Sequence, residues 1–175
     1  MANKKNWFGI LVMVLVFGMA VVGCDNDPVN GGGDTWSNVT SLSQLNGTWK
    51  GSYSFTETED GITVKTTTEM TLTINASAKT ESGTMKTTMA FSGAGIAESW
   101  SGIKETFEET FKETGVSVTF NDSNHSMSMT VTFSDKFDDN DIAEMLASGI
   151  QINQNGTKVK QPAGDGMPEI IMTKQ

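Results

Sequence analysis

The chain has 175 residues and a formal net charge of −9, and all twelve of its basic residues are lysine. That balance speaks against nucleic acid, whose binding needs a basic face and usually arginine, and against docking on anionic lipid headgroups through protein charge. Cys24 is the only cysteine, so no intramolecular disulfide forms and the fold must hold itself together by burying an apolar core.

Lys4 and Lys5 make a short positive region ahead of an apolar run, Trp7 to Val22, broken only by Gly9 and Gly18. The run is shorter than the roughly 20 residues of a spanning helix and ends in small residues, which predicts a secretory signal peptide over residues 1–23. Its end, Val21-Val22-Gly23-Cys24, resembles the lipobox of bacterial lipoproteins, in which an aliphatic and a small residue precede a cysteine that becomes the new N-terminus. The resemblance implies a diacylglyceryl thioether on Cys24, an acylated amine bearing a palmitate-type chain, and an extracytoplasmic place in the bacterial cell envelope. Several acyl chains hold a membrane firmly where one binds only marginally. The plainer reading is a secreted protein with a chance cysteine at the cleavage point; charge directly after a lone cysteine favours the anchor. Loss of Lys4 and Lys5 with the signal takes the formal charge from −9 to −11. Residues 24–41, opening on Cys24 and the polar, glycine-rich stretch Asp25 to Asp34, read as the lipidated cysteine and a flexible tether.

The remaining residues, 42–175, are expected to form one β domain. Ser41 to Leu45 suits a single helical turn that plugs one end. Trp49, Gly51, Tyr53 and Phe55 then alternate with Lys50, Ser52, Ser54 and Thr56, the pattern of a half-buried strand. Gly47-Thr48-Trp49 at the start of that strand resembles the opening of lipocalins and related calycins. In that family the tryptophan packs across the closed end of a barrel under an arginine from near the last strand; here, without arginine, Lys174 is the substitute. The resemblance implies an antiparallel, lipocalin-like β-barrel.

From Ile62 to Ile74 the alternation is clean, with Ile62, Val64, Thr66, Thr68, Met70, Leu72 and Ile74 inward, and this strand pairs with the first as a hairpin. After a polar loop at 76–82, Met85, Thr87, Met89 and Phe91 mark a third strand. The period then changes: Ile96, Trp100, Ile103, Phe107 and Phe111 recur at steps of three and four, an amphipathic helix with Gly115 as its stop. A strand over the same residues is the competing reading, and it buries Glu105 and Glu109 at high cost. Val116 to Phe120 and His125 to Phe133 form a hairpin about Asn121–Asn124. Asp139 to Ala147 predicts a second helix ending at Gly149. Asn155-Gly156 is a strong two-residue hairpin signal that sets Val159 across from Ile152. Glu169 to Lys174 closes the chain as a last strand, for about eight in all, with one or two short helices.

Few residues suit catalysis. His125 is the sole histidine, which speaks against Cys-His and Ser-His-Asp chemistry, and it reads as a structural histidine at the rim of an apolar face. Glu105, Glu108 and Glu109 are candidates for paired carboxylates, but they fall on a solvated helix face. Asp135, Asp138, Asp139, Asp141 and Glu144 form an acidic group. Calcium is one reading of it; the other is a capped helix start, with Asp139 or Asp141 as cap. No metal, cofactor or enzymatic activity is expected. The residues assigned to ligand contact are Trp49, Tyr53, Met70, Met85, Met89, Met127 and Met129, because methionine is flexible and polarisable and a lining of it suits a small apolar ligand. Equally, these side chains can simply fill an eight-stranded interior. Two functions stay open: a membrane-anchored module binding a small apolar molecule, and an envelope lipoprotein acting on another protein through its outer surface.

Overall fold

The computed structural model describes residues 34–175 apart from 60, 113, 115 and 164–168; the expected signal peptide, Cys24, most of the tether and the helix stop at Gly115 lie outside the described residues. In chain order the elements are β1 (Trp36–Asn38), a 3-10 turn (Leu42–Leu45), β2 (Gly47–Glu59), β3 (Ile62–Asn75), β4 (Thr80–Gly93), α1 (Ile96–Phe111), β5 (Ser117–Asn121), β6 (Ser126–Lys136), α2 (Asp139–Ala147), β7 (Gln151–Asn153), β8 (Lys158–Gln161) and β9 (Ile170–Lys174). The expected mainly antiparallel β architecture with two helices is what the structure shows.

All nine strands join one sheet in the order β1-β7-β8-β9-β2-β3-β4-β6-β5. The sheet differs from an eight-stranded barrel in two ways. It has a ninth strand, and it stays open, with β1 at one edge and β5 at the other. The extra strand comes from residues assigned to the tether. Trp36–Asn38 pairs with β7, and Val39, buried behind it, donates its N–H to the Ile150 carbonyl at 2.9 Å. Three residues were too few to show a period. The junction is pinned further by Asp34, whose carboxylate meets Lys158 Nζ at 2.8 Å and accepts from Asn153. Those bonds hold the Asp34 carboxyl below its usual range, Lys158 first and Asn153 next.

Register follows the alternation. Tyr53, Thr68, Thr87 and Met129 lie in one inward row across β2, β3, β4 and β6, with Val118 of β5 next to Met129. The outward row beside it is Ser54, Thr67, Thr88, Ser128 and Thr119. Gly83 serves the inner face by being small: a Cβ there would stand 2.7 Å from Cζ of Phe133, its cross-strand partner.

The inner face carries two separate cores. One gathers Trp49, Leu42, Leu45, Ile74, Ile152 and Val159, with Ile142, Met145 and Leu146 of α2 packed on it. The other gathers Phe91, Met127 and Met129 of the sheet with Ile96, Trp100 and Phe111 of α1. The helix over 96–111 is therefore the favoured reading of that segment, and Glu105, Glu108 and Glu109 are all exposed, as a helix allows and an inward strand does not. Between the cores lie buried threonines. The hydroxyls of Thr68 and Thr87, 1% and 3% exposed, bond each other at 3.1 Å.

Candidate functional site

A cavity of about 370 Å³ opens where α2 crosses the end of the sheet. Phe137, Met145 and Ile150 give it an apolar floor continuous with the Trp49 core. Around them stand Glu81 of β4, Asp135 and Lys136 of β6, Asp141 and Glu144 of α2, and Gln161 at the end of β8.

The helix that lines one side of the cavity is positioned by its own N-terminus. Asp138 is the cap: its Oδ1 accepts the N–H groups of Asn140 and Asp141, both at 2.9 Å, and Asp141 Oδ2 accepts the Asp138 N–H at 2.8 Å in return. The cap therefore falls one residue earlier than Asp139, the first of the two residues the sequence suggested, with Asp141 as its reciprocal partner. Asp139 is taken instead by Lys79, 2.7 Å away across the β3–β4 turn. The Phe137 N–H donates to the Lys79 carbonyl at 2.8 Å, which ties the same turn to the cavity floor. These roles use the acidic group as a helix start. Among the described residues no three of His, Cys, Asp and Glu are grouped to hold a metal ion.

Three carboxylates of the lining, Glu81, Asp135 and Glu144, have no part in that capping. Glu81 and Asp135 stand directly opposite each other on β4 and β6. Burial first, then the charges of Asp135 and Asp141, push the Glu81 carboxyl above its usual range. Both residues keep the inward parity of their strands, Glu81 with Met85 and Phe91, Asp135 with Met127 and Met129.

The residues assigned to ligand contact are spread along the sheet rather than gathered. Trp49 is fully buried in the first core, and its indole N–H donates to the Leu45 carbonyl at 2.7 Å. Lys174 Nζ lies 5.2 Å from the centroid of the Trp49 ring. Met127 and Met129 are buried in the second core with Met89 against them. Met70 and Met85 pair across β3 and β4 between the cores, and Tyr53 stacks with Phe55 at 6.5 Å on the neighbouring strand. Met70 also borders a shallow, open depression with Lys50, Glu69 and Thr173. His125 sits at the end of the β5–β6 turn, edge-on to Trp100 at 5.5 Å, and its carbonyl accepts the Phe91 N–H at 2.9 Å.

Comparison with protein-family models, with curated proteins and with solved structures gives no match.

Asp135, Asp141 and Glu144 belong to the acidic group read from sequence, but Glu81, Phe137, Met145 and Ile150 were not singled out, and one signal for Glu81 existed. Residues 76–82 look like a polar loop, but β4 begins at Thr80, so Glu81 is an in-strand residue whose parity turns it inward. A carboxylate that continues an apolar face on each of two neighbouring strands marks this end of the sheet as unusual.

Proposed function

We propose that the chain is a lipid-anchored envelope protein whose β domain is a receptor for a small molecule, taken at the cavity beneath α2. The observation that carries this reading is the cavity itself: about 370 Å³, with Phe137, Met145 and Ile150 as an apolar floor and polar groups around it. That combination is what small-molecule sites look like, and the volume falls in the lower part of their range of roughly 300–1,000 Å³. The anchor rests on Val21-Val22-Gly23-Cys24, with the nine residues 25–33 between Cys24 and the first described residue as the leash. Among the described residues no helix is long and apolar enough to cross a membrane. The Lys174 contact on Trp49 supports the lipocalin-like reading of the domain, in an open sheet with its ligand at one end rather than inside a barrel.

Purification of the full chain from membranes under native conditions tests this. A co-purifying small-molecule mass, lost in a Met145→Trp variant that fills the cavity, is the expected result. A full chain free of added mass, whose melting temperature no small-molecule library shifts, ends the receptor reading. The anchor is tested separately. Cys24→Ser should leave a folded protein in the soluble fraction; sedimentation of that variant with membranes refutes lipidation as the means of attachment.

A second reading, action on another protein, is favoured by the outer face of β2-β3-β4-β6-β5. Both described helices pack on the inner face, so the outward row of Ser54, Thr67, Thr88, Ser128 and Thr119 has neither of them over it.

A further inference from the structure

At Glu81 the charge lining the cavity works against the stability of the fold. Carboxylates directly opposite one another on paired strands repel, and Glu81 and Asp135 hold that position. A carboxylate turned toward apolar side chains also loses hydration, and at Glu81 that loss is the main reason its acid is held high. Asp141 has a structural duty in the helix cap and Asp135 Oδ1 accepts the Lys136 N–H at 2.7 Å, but Glu81 and Glu144 take no part in the cap. Among the described residues none of the ion pairs includes Glu81, Asp135, Asp141 or Glu144. Lys136 is the one cation in the lining.

The cavity thus makes two demands at once. Its floor offers apolar surface, which a neutral hydrocarbon satisfies while leaving the carboxylates uncompensated. Its rim offers negative charge, which a hydrated metal ion satisfies while leaving the floor against water. One chemistry meets both. We infer that the ligand of this cavity is a small organic ammonium ion with an aromatic or aliphatic body, the body seated on Phe137, Met145 and Ile150 and the ammonium facing Glu81, Asp135 and Glu144. The inference rests on the receptor reading above and adds the class of ligand to it. Charge-assisted hydrogen bonds supply the preference for a cation, and one such contact is enough for a tenfold difference between otherwise matched ligands.

The test uses the full chain in nanodiscs of zwitterionic phosphatidylcholine, which does not itself attract amines, with methionine methyl groups labelled for NMR. Three probes of matched body are titrated: 2-phenylethylamine, 2-phenylethanol and 3-phenylpropionate. The expected result is a shift of the Met145 methyl, with Met127 and Met129 in the far core unmoved. The amine should bind at least tenfold more tightly than the alcohol, and the propionate should not bind. Glu81→Gln with Glu144→Gln should erase the amine's advantage, while Lys86→Gln, outside the cavity, keeps it. If the alcohol binds as tightly as the amine, the ammonium assignment falls and the receptor reading stands. If calcium ions alone move Met145 and displace the amine, the assignment falls in favour of a cation site. If no probe moves Met145, both the assignment and the reading it rests on fall.

Discussion

The two ends of the sheet solve the same problem differently. Each is closed by a helix and a tryptophan, and each tryptophan has its indole N–H satisfied at 2.7 Å. At the first end Trp49 donates to the backbone carbonyl of Leu45, four residues away, so the 3-10 turn and β2 lock each other through a bond between two groups that do not ionise. At the second end Trp100 of α1 donates to Asp122 Oδ1, a carboxylate on the β5–β6 turn that also receives Lys104 Nζ at 2.8 Å. The helix there is docked by charge as well as by packing against Phe91 and Phe120, whose rings stand 5.7 and 6.1 Å from Trp100. A burial site served by backbone is indifferent to pH; one served by a carboxylate is not.

The largest expected effect is at the backbone-served end. Trp49→Ala should cost about 3–5 kcal/mol, since it empties a fully buried site, and denaturant unfolding measures it. Phenylalanine substitutions sharpen the contrast. Trp49→Phe leaves the Leu45 carbonyl buried without its donor, a loss of about 1–3 kcal/mol. Trp100→Phe leaves Asp122 with Lys104 and solvent, and should cost less. Equal losses at the two positions would break the distinction between the ends.

Between the ends, Thr68 and Thr87 test how the cores are joined. Either Thr→Val change alone strands one buried hydroxyl and should cost about 1–2 kcal/mol. Both together remove the pair at nearly unchanged shape, so the double variant should be more stable than either single one. A double loss equal to the sum of the singles would mean that the 3.1 Å contact contributes nothing.

The same contrast explains what the sequence could reveal. Strands with strict alternation, 49–56 and 62–74 above all, were readable because one face is less exposed than the other; the residues after Thr56 carry no such pattern and still continue β2 to Glu59. The helix at 96–111 was readable from its changed period, and Ile152 opposite Val159 from the Asn-Gly turn. The expected plug at 42–45 follows from two leucines three residues apart, both of which are buried. What escaped depends on contacts distant in the chain. β1 exists through its pairing with β7, more than a hundred residues on, and no local pattern specifies that. The cavity escaped because Glu81, Phe137, Met145 and Ile150 come from four segments. The methionines' inward parity was legible, but not that Met89, Met127 and Met129 join the α1 core while Met70 and Met85 lie between the cores.

Asp138→Ala removes the cap that sets α2 over the cavity, and should cost about 1 kcal/mol. The other helix, α1, has no such side-chain cap, since it starts at Gly95 with φ +82°. Loss of α2 order should appear as a shift of the Met145 methyl while the α1 end stays unchanged. A uniform loss across both ends would show that they unfold as one unit without local fraying.

Acid should act on the ends unequally. Lys104 first, then Trp100, holds the Asp122 carboxyl below its usual range. A depressed carboxyl contributes stability that is present above its unfolded value, near 3.8, and is lost as pH falls through the lower folded value. Acidification below about pH 3.8 should therefore loosen α1 before it disturbs the Trp49 turn. Asp122→Asn should abolish that part of the acid response while leaving Trp49 fluorescence unchanged. Equal acid sensitivity at Trp49 would count against the assignment.

Glu81 runs the other way, and its expected effect is the smallest. Its acid is held above the usual range, so the folded state binds that proton more tightly than the unfolded chain does. The associated stability is complete below the ordinary carboxylate range and is lost as pH rises through the raised value. At neutral pH the ionised group is therefore a standing cost. Glu81→Gln should raise the melting temperature there by about 1–3 °C, what a few tenths of a kcal/mol produces in a domain of this size. In strong acid, where Glu81 is already protonated, the variant should give no advantage. A carboxylate kept at a cost beside an apolar cavity is what a binding site that trades stability for recognition contains. If Glu81→Gln brings no gain at neutral pH, the charges around the cavity are not in tension, and the case for an ammonium ligand loses its thermodynamic ground.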